Sequence, residues 1–188
     1  MKARMSLAYA EKCAARLLER LGPDCERLAV AGSIRRQRPV VGDIDLVAIP
    51  RIDYTRDLLG QVEPLRNRLH AAIALGAKER GWQWETGADK PWGDMFFFSA
   101  MGRDGPVNVN IFTARPQTWG TILLCRTGSK EHNVWLCQRA KERGLHWNPF
   151  HGVYADSHCL ASETEEDIFR ALGLGFVPPE QRERPGQS

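Results

Sequence analysis

Two carboxylates one residue apart, Asp43 and Asp45, open an apolar run of Leu46, Val47, Ala48 and Ile49. In a strand, alternate side chains share a face, so both acids point one way and Ile44 points into the core. At about 5 Å and an effective dielectric near 20, two such charges repel by about 3 kcal/mol. A divalent cation between them relieves that repulsion, and oxygen donors with open positions suit Mg²⁺. Alone, the pattern equally describes an exposed polar strand edge. Ten residues before Gly42-Asp43 stands Gly32-Ser33, followed by Arg35, Arg36 and Arg38 with no acid until Asp43. A turn there offers backbone N–H groups and a hydroxyl to a phosphate. Its plain alternative is a Gly-Ser turn with solvated arginines. Together, a phosphate cradle and a carboxylate pair are what phosphoryl or nucleotidyl transfer needs.

The elements that must position these groups are legible in outline. Ser6 can cap a first helix with Leu7, Ala10, Ala14, Leu17, Leu18 and Leu21 at helical spacing, stopped by Gly22-Pro23. Residues 27–31 and 43–50 read as strands, with a short helix opening at Gly32-Ser33. The spacing of Leu58, Leu59, Val62, Leu65, Leu69 and Ile73 predicts a helix over 57–75. Three β-rich runs follow at 82–86, 94–101 and 107–112, the last two joined by a Gly102-Arg103-Asp104-Gly105 turn. Two helices, 119–125 and 131–143, flank Thr127-Gly128-Ser129. A hairpin over 145–160 precedes a final helix over 166–172, with Ser162-Glu163-Thr164-Glu165 as its capping box. The expected class is α+β: a mixed sheet flanked by helices over 1–114, a smaller α/β part over 115–183, and a tail at 184–188.

Composition narrows the classes further. The 188 residues carry 26 basic and 23 acidic side chains, a net charge of +3. That excess neither demands nor repels a nucleic acid. No run of apolar residues is long enough to span a bilayer, and the basic start (Lys2, Arg4) leads into no apolar segment, so a cytoplasmic protein without membrane contact is expected. Five cysteines without a C-x-x-C pair read as reduced thiols. His132, His146, His151 and His158 show no metal-ligand spacing. Most of the six tryptophans are core candidates, with Trp82, Trp84 and Trp92 around the β-rich region. Arg126, Lys130, Arg139, Lys141 and Arg143 face only Glu131 and Glu142, which fits either a phosphate footprint or a solvated helix face.

Gly32-Ser33-Ile34-Arg35-Arg36 and Val41-Gly42-Asp43-Ile44-Asp45-Leu46-Val47 resemble the nucleotidyltransferase signature of family X DNA polymerases, the group of polymerase beta. Gly87-Ala88-Asp89-Lys90, Thr127-Gly128-Ser129-Lys130-Glu131-His132-Asn133, Arg139 to Leu145, Glu165 to Phe169, Leu172-Gly173-Leu174 and Pro178-Pro179-Glu180 extend the likeness in order. The resemblance implies a palm followed by a nucleotide-binding subdomain. It implies that Asp43 and Asp45 bind Mg²⁺, or Mn²⁺ in its place. Gly32, Ser33, Arg36 and Gly42 would hold a deoxynucleoside triphosphate, Thr127-Gly128 would lie beside its sugar, and Asn133 would reach the base. Lys90, Arg126 and Lys130 would meet gapped or primer-template DNA. Members of ordinary length also carry a lyase domain and a helix-hairpin-helix subdomain. The roughly 28 residues before the first motif strand hold neither, so a minimal form is expected, with a monomer as the default.

One departure bears on the chemistry. The family's third catalytic carboxylate is expected within Val107-Asn108-Val109-Asn110-Ile111, at Asn108, which carries no charge and accepts no proton. Asn110 shares its face and is also neutral, and Asp104 lies too far along the turn. Losing a general base costs about 10²–10⁴ in rate. Cys125-Arg126 replaces an aromatic pair, and Cys137 stands where some relatives place a template-contacting arginine. Three functions follow: DNA nucleotidyl transfer in repair, nucleotidyl transfer to a small molecule or protein, and an inactive fold that binds DNA or nucleotide.

Overall fold

The computed structural model describes residues 4–103 and 105–183. Lys2, Asp104 and the tail 184–188 lie outside the described residues. The chain runs β1 (Met5–Ser6), α1 (Leu7–Leu21), β2 (Cys25–Val30), α2 (Gly32–Arg35), β3 (Val40–Val41) and β4 (Ile44–Pro50). Next come β5 (Ile52–Arg56), β6 (Val62–Asn67), α3 (Arg68–Arg80), β7 (Gln83–Thr86), β8 (Met95–Gly102) and β9 (Gly105–Thr113). Then follow α4 (Trp119–Thr127), α5 (Lys130–Glu142), β10 (His146–Asn148), β11 (Gly152–Ala155), β12 (His158–Ala161) and α6 (Glu165–Ala171).

The fold is α+β. Its main sheet is mixed, with strand order β2-β4-β9-β8-β7 and the β4–β9 pair parallel. The strand β4 is buried on both faces, which explains its nearly unbroken apolar run. Ile44, Leu46 and Ala48 join one core with α1 and α3, while Val47 and Ile49 join a second with Phe112, Trp119, Ile122 and Leu123. A third core gathers Leu124, Leu136, Trp147, Val153, Ile168, Phe169 and Leu172. As the spacing predicts, α1 is capped by Ser6 and buries Ala10, Ala14, Leu17 and Leu21. No helix among the described residues is long and apolar enough to cross a membrane.

The helix expected over 57–75 is instead a β5–β6 hairpin followed by α3. Pro64 has no N–H and its ring would clash inside a helix. The Asp57 carboxylate accepts the Leu59 and Gln61 amides, both at 2.8 Å, and closes the turn at Gly60. Leu58, Leu59, Val62 and Leu65, whose spacing suggested a buried stripe, are exposed. Only Leu69 and Ile73 of that set reach the core, where Asn67 caps α3. The 145–160 hairpin gains a strand, forming β10-β11-β12. The final helix starts from Thr164, whose hydroxyl accepts the Asp167 amide at 3.1 Å.

A buried ionic cluster ties α2 to α6. Arg35 donates from both terminal nitrogens to Glu165 at 2.8 and 2.7 Å, and from Nη1 to Thr127 Oγ1 at 2.8 Å. Arg182, fully buried, donates to Glu165 Oε1 at 2.7 Å. Burial pushes the Glu165 carboxyl up, but the Arg35 and Arg182 hydrogen bonds outweigh it and hold the group below its ordinary range. Beside the cluster, His132 lies among Trp135, Phe169 and the Arg182 guanidinium, and neither ring nitrogen has a partner among the described residues. Burial first, then Arg182 and Arg36, pull its pKa down to about 4, against an opposing pull from Glu165.

A depressed pKa makes the unfolded state the better proton acceptor. Stability is therefore full above about 6.5 and falls as pH drops toward about 4. Over that window the loss from this residue reaches about 3 kcal/mol. Chemical denaturation at pH 7.5 and pH 5 is expected to show a drop of about 2 kcal/mol that His132→Phe removes. An equal drop in the variant would assign the acid sensitivity elsewhere.

Candidate active site

Strand β2 runs antiparallel to β4, pairing Val30 with Leu46, and the Ala31 amide donates to Asp45 O at 2.8 Å. That pairing delivers the turn at Gly32 to the beginning of β4. Gly32 has φ +60, and a Cβ placed there would lie 2.1 Å from Asp45 Oδ2. The carboxylate therefore sits directly over a glycine α-carbon. Ser33, Arg36, Asp43 and Asp45 then face one cleft with Thr127, Gly128, Lys130 and Asn133, which come from the junction of α4 and α5. The cleft encloses about 650 Å³. Gly42 precedes Asp43 in the chain but is not among the residues lining the cleft.

The two halves touch through Arg36, whose Nη1 donates to Thr127 O and whose Nε donates to Glu183 Oε1 at 2.6 Å. A Cβ on Gly128, whose φ is +68, would press to 3.2 Å from Arg36 Nη1. Ser129 Oγ donates to Arg182 O at 2.7 Å, which holds the segment ending at Glu183 against the same turn. Asn133 donates to Cys125 O at 2.8 Å, and its Oδ1 is buried without a partner among the described residues. Such an orphan acceptor on a cleft wall is a ready contact for a polar ligand. Arg126 lines the cleft with its guanidinium carbon 3.9 Å from the centre of the Phe112 ring.

Asn110 rather than Asn108 is the residue brought to the acids. In the parallel β4–β9 register Asp45 neighbours Asn110, and Asn110 Nδ2 donates to Asp45 Oδ1 at 2.9 Å. Asn108 lies two residues back along β9, paired with Ser99 of β8. The register is set by strand pairing, so the spacing within 107–111 could not separate the two. Lys90 is also apart from the cleft, exposed in the turn between β7 and β8. Trp147, Pro149, Gln138 and Lys141 line the cleft although no motif singled out the first three. Their position depends on how β10 and α5 pack, which no local pattern encodes.

Burial above all pushes Asp45 up to about 6; the Asn110 hydrogen bond opposes this, Asp43 adds to it, and Arg126 and Arg36 oppose it more weakly. A buried carboxylate left short of positive charge, with a second acid beside it, is a fit for a hard divalent cation. The donor set holds two acids, and no group of three or more His, Cys, Asp or Glu gathers among the described residues.

Residues 122–183 match the family model described as the DNA polymerase beta thumb. The chain is 26% identical over 187 residues to the DNA polymerase/3'-5' exonuclease PolX of Bacillus subtilis (strain 168), which covers 96% of this chain and 29% of that protein. Over 79 residues it is 39% identical to the human DNA-directed DNA/RNA polymerase mu, covering 40% of this chain and 16% of that protein. These similarities support a likeness to family X DNA polymerases. It spans less than a third of the length of either relative. The thumb-like match takes in most of α4, the turn at Thr127-Gly128, all of α5 and the buried Glu165–Arg182 pair, so it covers one wall of the cleft.

Proposed function

We propose that this chain is the nucleotidyl-transfer core of a DNA polymerase, adding a deoxynucleotide to a primer 3'-hydroxyl on gapped or primer-template DNA. The observation that carries the reading is the convergence of Ser33, Arg36, Asp43 and Asp45 with Thr127, Gly128 and Asn133 on one cleft. In this reading 1–114 is the palm and 115–183 the part that closes over the nucleotide. Ser33 and Arg36, with Gly42 beside them, hold the triphosphate. Gly128 leaves the sugar room, and Asn133 meets the base edge. Arg126 and Lys130 line the DNA side, and Lys90 meets DNA away from the cleft.

Asp43 and Asp45 would hold Mg²⁺, or Mn²⁺, which would supply charge neutralisation at the reacting phosphate. The primer oxygen forms a bond to the α-phosphorus while the bond to the β-phosphate bridge breaks and pyrophosphate leaves. Arg36 and Ser33 stabilise the charge that builds on that leaving group. Asn110 cannot take the proton lost by the primer hydroxyl, which therefore passes to water. Turnover is correspondingly slow.

Asn110 also favours a second reading, an inactive fold that binds DNA or nucleotide. A transferase acting on a small molecule or protein fits less well, because it leaves the thumb-like residues 122–183 unexplained. Primer extension on gapped duplex with Mg²⁺ or Mn²⁺ separates these readings. Extension that disappears with Asp43→Asn supports the polymerase. Tight nucleotide or gapped-DNA binding without turnover selects the binding fold, and label in a non-nucleic-acid acceptor selects the third.

Glu183 occupies part of the proposed phosphate cradle through its ion pair with Arg36, and its Oε1 also lies 3.7 Å from Arg38 Nε. An incoming triphosphate must displace that carboxylate. Glu183→Gln is therefore expected to tighten nucleotide binding by about 1 kcal/mol, roughly fivefold in Kd. Fluorescence titration with a labelled deoxynucleoside triphosphate checks this, and weaker binding would make Glu183 a support rather than a competitor.

A further inference from the structure

We propose that the groove between α1 and α3, on the face of the sheet opposite Asp45, is a second nucleic-acid site that takes a single strand by its phosphodiester backbone. The choice of a nucleic acid over another polyanion rests on the polymerase reading above; the existence of the polyanion site does not.

The two sites lie back to back across one strand. Ile44 is part of the groove lining, and the next residue, Asp45, faces the catalytic cleft. The groove encloses about 1010 Å³, more than the cleft. Among its described lining residues seven are basic and two acidic. One of the acids, Asp24, is already paired with Arg68 at 3.1 Å. Arg16, Arg66, Lys78 and Arg80 have no ion pair among the described residues, in contrast to Arg35, Arg36 and Arg182, which are all neutralised by acids. On a chain whose net charge is only +3, this groove is thus a markedly positive surface. Like charges held together raise the local potential, and a polyanion relieves it with release of its counterions.

The shape favours a single strand. Arg16 and Arg20 stand one turn apart on α1, about 6 Å along its axis, and form one rail. Arg68 and Lys78 of α3, with Arg66 just before it, form the other. Between them the lining is apolar, with Leu17, Trp82 and Val109 at depth and Leu75 and Met101 exposed at 46% and 71%. Arg20 lies 5.7 Å from the centre of the Trp82 ring and covers it. Basic walls around an apolar bed suit a strand whose phosphates follow the walls and whose bases lie between them. A duplex would meet only the rims.

The test uses fluorescence anisotropy with a labelled single-stranded oligothymidylate. The variant Arg16→Glu/Lys78→Glu/Arg80→Glu is expected to bind it at least roughly tenfold more weakly, with the salt slope reduced by about 2. Binding of a deoxynucleoside triphosphate in the cleft is expected to be unchanged, since none of the three residues lines it. Unaltered oligonucleotide binding by the variant would overturn the proposal. So would displacement of the oligonucleotide by a poly-glutamate peptide at equal charge concentration, which would mark an acidic-protein site. Photocrosslinking to the unmutated protein removes any dependence on variant folding. Crosslinks within 16–20 and 66–80 support the groove, and crosslinks confined to 126–141 contradict it. A protein that extends no primer but loses oligonucleotide binding in the groove variant would refute the polymerase reading and leave the groove standing.

Discussion

Asn110→Asp is expected to raise metal-dependent nucleotide incorporation at least roughly tenfold, and up to the 10²–10⁴ range typical of a restored general base. The amide of Asn110 now spends a donor hydrogen on Asp45 Oδ1 at 2.9 Å. An aspartate there exchanges that donor for an acceptor and brings a third carboxylate beside the two already on the cleft. Without a cation the three acids repel, so the variant should be less stable than the parent in chelator and regain stability when Mg²⁺ is added. Asn108→Asp is the control. Its side chain sits beside Ser99, two residues from the position next to Asp45, and its effect on turnover is expected to stay within about twofold. Steady-state primer extension by the three proteins distinguishes the positions. Equal rates for Asn110→Asp and the parent would contradict a general-base role for a carboxylate at this position.

Gly32→Ala is expected to cost about a hundredfold or more in turnover, since a misplacement of about 1 Å at a reacting centre has that effect. The added methyl would lie 2.1 Å from Asp45 Oδ2 and 2.9 Å from Asp45 Cβ. Neither atom can yield without moving the Asp45 carboxylate, and φ +60 adds backbone strain of about 1–2 kcal/mol for a residue with a Cβ. Gly22→Ala, outside the cleft lining, is the control, because a Cβ there meets nothing within 4 Å. Thermal melting and primer extension together check the pair: loss of activity exceeding loss of stability in Gly32→Ala, and neither in Gly22→Ala.

The features that were legible beforehand depend on short-range rules. Period-2 alternation put Asp43 and Asp45 together and Ile44 in the core, and the glycine and hydroxyl after β2 marked the turn that meets them. Ser6, Gly22 and Pro23 bounded α1 by capping chemistry. What escaped the sequence depends on pairing between distant segments. The parallel register of β4 with β9 decides that Asn110 rather than Asn108 meets Asp45, and nothing local to 107–111 encodes it. Leu58, Leu59, Val62 and Leu65 imitated an extension of the face that Leu69 and Ile73 form on α3, while Pro64 and the Asp57 turn carried the stronger signal. Glu183 could not be anticipated on Arg36, because 147 residues separate them and the Ser129 contact to Arg182 O brings them together.

Equilibrium binding of a non-hydrolysable deoxynucleoside triphosphate, with and without Mg²⁺, tests the assignment of the Asp43–Asp45 cleft most directly. Binding should depend on the cation, and Asp43→Asn/Asp45→Asn should abolish that dependence and weaken binding by at least roughly thirtyfold, about 2 kcal/mol. Equal affinity in the absence of Mg²⁺, or in the doubly substituted protein, would mean that these carboxylates hold no metal–nucleotide complex.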